Sequence, residues 1–98
     1  VSNFSAYAMY DKFPVSKGHM LIIPRRHVAD LFSTTSEERK DIYEIIEQCK
    51  SYLDEEFAPD GYNIEINHGE VAGQTIFHLH VHLIPRYLCD IENPKGRA

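Results

Sequence analysis

The stretch His78-Leu79-His80-Val81-His82-Leu83-Ile84-Pro85-Arg86 alternates three histidines with large apolar residues and closes on a proline. Side chains along a strand point in turn to the two faces of a sheet. Read that way, His78, His80 and His82 share one face, and Phe77, Leu79, Val81 and Leu83 share the other. A helix would scatter the imidazoles around its cylinder, and the run is short for one. One face can bury against a core; the other is a row of imidazoles.

Working back from this strand, Gly69 and Gly73 mark a loop over His68 to Gln74. Before it, Tyr62-Asn63-Ile64-Glu65-Ile66-Asn67 alternates cleanly, with Tyr62, Ile64 and Ile66 on one face. A helix precedes that strand. Thr34 with Glu37 and Thr35 with Glu38 form two overlapping capping boxes. Ile42, Ile45, Ile46, Cys49, Leu53 and Phe57 then recur at the three-four spacing of one buried stripe. Pro59-Asp60-Gly61 ends it. Near the start, Phe4 to Tyr10 and His19 to Ile23 read as strands, the second stopped by Pro24, which cannot donate to a ladder. Asp11 to Gly18 connects them, and Val28 to Phe32 holds a short helical turn. Strands, one long helix, then strands predict an α+β domain: an antiparallel sheet of about five strands with the helix packed on it.

The 98 residues suggest one domain, 1–98, with an irregular tail over about 87–98. A formal net charge of -5 provides no global basic field for nucleic acid or an anionic membrane. Lys17, Arg25, Arg26 and Arg86 are local positive charges suited to a phosphate. No apolar run reaches membrane-spanning length. Cys49 and Cys89 form no Cys-x-x-Cys pair and read as free thiols of a reducing compartment, so a cytoplasmic location is expected. His27, after two arginines, reads as a surface residue.

A lone histidine on a strand is usually a solvated polar residue. Three in alternation over an apolar face call for more. Neutral imidazoles bind zinc, but no His-Glu-x-x-His pair or cysteine cluster completes a ligand shell. Alternatively, a neutral histidine attacks phosphorus and carries the group as a phosphoramidate. That requires one ring nitrogen free and the other held protonated by an acceptor. It also requires donors for the non-bridging oxygens. The loop provides candidates: the Gln74 amide, the Thr75 hydroxyl, their backbone N–H groups, and Asn67 at the end of the neighbouring strand.

These residues resemble the histidine triad (HIT) nucleotide hydrolases and transferases, whose signature alternates three histidines with apolar residues. Asn67 and Gly73-Gln74-Thr75 sit where that family keeps an asparagine and a Gly-Gln-Ser/Thr step. Asp11 to Pro24, with Pro14, Gly18-His19 and Leu21-Ile22-Ile23-Pro24, is similar to the family's first half. Pro85-Arg86-Tyr87 and Asn93-Pro94-Lys95-Gly96 resemble small bacterial members called diadenosine-tetraphosphate-hydrolase-like.

The resemblance implies roles. His80 is the nucleophile that takes a nucleoside monophosphate, its second ring nitrogen donating to the His78 carbonyl. His82 contacts the phosphate, and His78 and His19 support the array. Asn67, Gln74 and Thr75 hold phosphate oxygens. Asp11 accepts from the ribose, and Met9, Tyr10 and Leu21 wall the base, with adenine favoured. The substrate is a dinucleoside polyphosphate or a nucleoside phosphoramidate. No cofactor or metal is required; magnesium is compatible with a polyphosphate leaving group. The Cys-x-x-Cys near the start of many relatives is not among these residues, which counts against a structural zinc. A homodimer through the helix and an adjoining strand is implied. Two other readings stay open: a nucleotide sensor with weak chemistry on the same scaffold, and a His-rich zinc site.

Overall fold

The computed structural model describes residues 1–88 and 90. The order is β1 (Ala6–Tyr10), β2 (Met20–Pro24), a 3-10 turn (Leu31–Ser33), α1 (Ser36–Phe57), β3 (Gly61–Glu65), a second 3-10 turn (Glu70–Ala72) and β4 (Val81–Arg86). The strands form one antiparallel sheet in the order β1-β2-β4-β3. Four strands are found among the described residues, and an isolated bridge joins Ser2 to Tyr7 beside β1. The expectations for Cys89 and for most of the tail lie outside the described residues.

The helix occupies the span its signals predict. Of the two capping boxes, the one that forms is Thr35 with Glu38: each side chain bonds the other's backbone N–H. The Thr34 hydroxyl instead bonds the Leu31 carbonyl and closes the preceding turn. Glu38 is also gripped by both ends of the Arg26 guanidinium, at 2.9 Å each. That cation first, and the Thr35 N–H second, hold its carboxyl down to about 2. At the other end Ala58 takes a left-handed conformation, φ 47°, and Pro59 follows.

The helix buries Ile42, Ile45, Cys49 and Leu53 against Ala6, Met20, Ile22, Leu79, Val81 and Leu83. Burial of the Cys49 thiol raises its pKa, so it is an inert core group. The helix packs mainly on β1, β2 and part of β4, and meets β3 at Tyr62, whose hydroxyl donates to Asp54 at 2.7 Å, without covering the rest of that strand. Ile64, paired with Leu83 on the helix-side face, is therefore 57% exposed.

The histidine segment differs from a continuous strand. Its ladder begins only at Val81. The Leu79 N–H bonds the Val28 carbonyl, and a His78 ring nitrogen meets the Pro24 carbonyl. Both contacts hold the chain extended where β2 has run out at a proline. The alternation survives: Leu79, Val81 and Leu83 are buried, and His78, His80 and His82 are half-buried on the other side. Phe77, expected on the apolar face, is instead half exposed, because the chain bends over residues 76–78 before it joins the core.

Candidate active site

The register of the sheet assembles the face opposite the helix. Met9 pairs with Leu21, Leu21 with His82, and His82 with Glu65. Directly paired residues share a face, so these four form one row. Tyr7 and Ile23 are also direct partners on that face. A cavity of about 300 Å³ lies there, lined by Tyr7, Asp11, Leu21, Ile23, Ile76, His78, His80 and His82.

The hydrogen bonds fix which nitrogen of each ring holds its proton. His80 Nδ1 lies 3.0 Å from the His78 carbonyl oxygen. A carbonyl only accepts, so Nδ1 donates, and the Nε2 lone pair is left for the cavity. His78 Nε2 donates likewise to the Pro24 carbonyl at 2.9 Å. For His19 the order is reversed. The Val15 N–H donates to His19 Nδ1 at 3.1 Å, so the ring proton sits on Nε2. That nitrogen lies 2.9 Å from His82 Nδ1 and 3.4 Å from Asp11 Oδ2. Donation to His82 Nδ1 then puts the His82 proton on Nε2. Two neighbouring rings, with centroids 5.0 Å apart, thus hold opposite tautomers. His80 Nε2 is an acceptor and His82 Nε2 a donor.

The charge state agrees. Burial first, then the neighbouring imidazoles of His80 and His19, lowers the pKa of His82 below the ordinary imidazole value. Asp11 and Glu65 act against this. His82 is therefore a neutral donor at neutral pH.

Asp11 Oδ2, His19 Nε2 and His82 Nδ1 also lie within 4.8 Å of one another, close enough to share a metal ion. The tautomer argues against it. An ion would need the His19 Nε2 lone pair, which moves the proton to Nδ1, against the Val15 N–H. Metal-ligating imidazoles donate from their second nitrogen; here that nitrogen accepts. The donor set does not fit a metal.

The other predicted residues fall in three groups. Asp11 is mostly buried beside His19 and His82, and its Oδ1 accepts the Phe13 N–H at 2.8 Å. Asn67 and Thr75 lie on the loop before the histidines, Asn67 3.5 Å from the Gly73 carbonyl. Gly73 has φ +95°, and a Cβ there would come within 3.4 Å of Asn67 Nδ2. Met9 is on the cavity face beside Leu21 but outside the lining.

Two expectations are corrected. Tyr10 pairs with Met20 on the helix face, where Tyr52 of α1 raises the pKa of its hydroxyl, so it does not wall this cavity. Gln74 is 2% exposed and faces inward. Its amide nitrogen donates to the Ala29 and Ile76 carbonyls at 2.7 and 3.1 Å, and its oxygen accepts the Gly69 N–H at 2.8 Å. Both amide protons are spent within the protein. Its own N–H bonds the Gly69 carbonyl. His27 is exposed, as expected, with its ring 4.9 Å from that of His78.

Sequence reasoning missed Tyr7, Ile23 and Ile76. Alternation from Met9 and Leu21 would have found the first two. Ile76 depends on the bend before the histidines, which has no local signal.

Comparison with known proteins identifies the arrangement. The sequence model of the HIT domain matches residues 2–88. A HIT-like protein of Mycoplasma genitalium is 39% identical over 94 residues, 96% of this chain and 64% of that protein. A bis(5'-adenosyl)-triphosphatase of Dictyostelium discoideum is 38% identical over 88 residues, 90% of this chain and 59% of that one. The chain thus spans less than two thirds of the length of either relative. The crystal structure of a HIT family protein from Bacillus anthracis superposes with a TM-score of 0.87 at 35% identity, covering 100% of this chain and 74% of that one. With an α+β sheet, a half-buried triad and a match over almost its whole length, the chain belongs to the HIT domain family.

Proposed function

We propose that this chain is a nucleotide hydrolase or nucleotidyl transferase acting at the α-phosphate of a nucleoside polyphosphate or phosphoramidate, through a nucleotidyl-histidine intermediate on His80. The observation that carries the proposal is the His80 ring: Nδ1 is committed to the His78 carbonyl at 3.0 Å, and Nε2 keeps its lone pair toward the cavity.

The reaction has two steps. His80 Nε2 attacks the α-phosphorus, forming a P–N bond as the bond to the leaving group breaks. A phosphate leaving group departs as its anion, the developing charge accepting a hydrogen bond from His82 Nε2–H, and the amine of a phosphoramidate takes its proton from water. The positive charge on His80 is shared with the His78 carbonyl through Nδ1–H. Water then attacks phosphorus, the P–N bond breaks to return neutral His80, and the water's proton is released to solvent. A transferase would use another acceptor in place of water. His19 is a fixed donor in this scheme: the Val15 N–H occupies its Nδ1, so it cannot give up the Nε2 proton without becoming an imidazolate. Asn67, with the Thr75 hydroxyl and N–H, is suited to hold the non-bridging oxygens as they gain charge.

Asp11 for the ribose, and Leu21 with Met9 for an adenine base, complete the reading; the Dictyostelium relative is by name an adenosyl triphosphatase. Magnesium is compatible with a polyphosphate leaving group, and no step needs it. We also propose a homodimer through the helix and the adjoining strand. The exposed Ile64 and Ile66 of the β3 region support it. No helix among the described residues is long and apolar enough to cross a membrane, and a cytoplasmic location is proposed. The test is turnover of a dinucleoside tetraphosphate and of an adenosine phosphoramidate, with His80→Ala beside the wild type. Loss of turnover with nucleotide binding retained supports the covalent reading; wild-type turnover in His80→Ala overturns it. Binding without turnover by the wild type would identify a sensor.

A further inference from the structure

Gln74 is a buried polar side chain that the reaction does not use. Its three hydrogen bonds form a closed clamp. Two go to its own loop, at Gly69 N and Ile76 O, and the third crosses to Ala29 O. Ala29 adjoins Val28, whose carbonyl bonds the Leu79 N–H between His78 and His80. One amide thus ties the loop to the strap that holds the histidine segment. Thr75 lies between Gln74 and Ile76, inside the clamp. It is exposed, and among the described residues its hydroxyl and backbone N–H have no protein partner. Ile76, the next residue, lines the cavity with His78 and His80.

We infer that Gln74 is a positioning residue: its buried amide, bonded to Gly69, Ala29 and Ile76, holds the Thr75 hydroxyl and N–H against the phosphate site and does not itself touch substrate. This rests on the reading of the cavity as a phosphate-transfer site. A buried amide with all its groups paired is costly to disturb, so the loop keeps one geometry. The donors at Thr75 are then organised before substrate arrives, and small displacements of such groups cost rate.

The test is a double-mutant cycle on the full chain: Gln74→Met, Thr75→Val and the pair, with kcat and KM measured on the better of the two substrates above. Gln74→Met should lower kcat about 10- to 100-fold with little change in KM. Thr75→Val should lower it as well, and the double variant should be little worse than the poorer single one, because both remove the same contribution. Effects that multiply would overturn the inference.

A second measurement needs no variant. In an NMR titration of the wild-type protein with AMP, the Thr75 N–H should shift while the Gln74 side-chain amide stays in place. A Gln74 amide shift as large as that of Thr75, or no shift at Thr75 on saturation, would also overturn it. This titration reads the clamp whether or not the protein turns over nucleotides. Failure of the proposed function, seen as wild-type inactivity on the substrate panel, is thereby distinguished from failure of the inference.

Discussion

Replacing His19 by leucine removes the donor that fixes the His82 ring. In the native site the Val15 N–H points at His19 Nδ1 from 3.1 Å, and His19 Nε2 reaches His82 Nδ1 at 2.9 Å. Leucine fills the 2% exposed site but leaves the Val15 N–H and His82 Nδ1 without this partner. An orphaned buried group costs about 1–3 kcal/mol. If that cost falls on the donor tautomer of His82, kcat drops by about 5- to 150-fold. His19→Gln offers a contrast, because its amide can still donate toward His82, so its loss should be smaller. Single-turnover formation of the nucleotidyl-enzyme gives the rate, and ¹⁵N chemical shifts of the His82 ring report the tautomer directly. A His19→Leu protein with wild-type kcat, whose His82 still holds its proton on Nε2, would refute the reasoning.

Two further outcomes follow from the same structure. Glu65 sits opposite His82 and raises its pKa, against burial and the other imidazoles. Glu65→Gln should therefore lower that pKa further, so the acid limb of the pH–rate profile, where His82 gains its second proton, moves to lower pH; a limb displaced to higher pH would contradict this. Gly18 has φ +91°, and a Cβ there would meet Phe57 and Leu53 at 3.1–3.2 Å. Gly18→Ala should cost about 1–3 kcal/mol, read as a fall in Tm of about 4–8 °C for each kcal/mol, and an unchanged Tm would argue against strain at this turn.

What was legible in the sequence depended on how local each signal is. The helix bounds could be read because its caps lie within three residues of its ends: Thr35 with Glu38, then Pro59 after Ala58. The faces of the histidine segment could be read because alternation needs no partner strand. Tyr10 was harder. Ala6-Tyr7-Ala8-Met9-Tyr10 has a bulky residue on either parity, and only pairing with β2 decides that Tyr7 and Met9 face the cavity. Gln74 failed for another reason. An amide beside a phosphate loop serves equally well as a ligand donor or as a clamp, and the acceptor that decides between them, the Ala29 carbonyl, lies 45 residues away. The tautomers of His19 and His82 rest on the Val15 N–H in the β1–β2 connection, a backbone group with no sequence signature.

The central claim is that His80 Nε2 carries the nucleotide between two half-reactions. Rapid quenching of the wild-type protein with a substrate labelled at the α-phosphate, followed by proteolysis and mass spectrometry, tests it most directly. One nucleotidyl group per chain is expected on His80, forming before free nucleoside monophosphate appears and absent from His80→Ala. Full turnover with no label on His80 at any quench time, or with label on another residue, would contradict it.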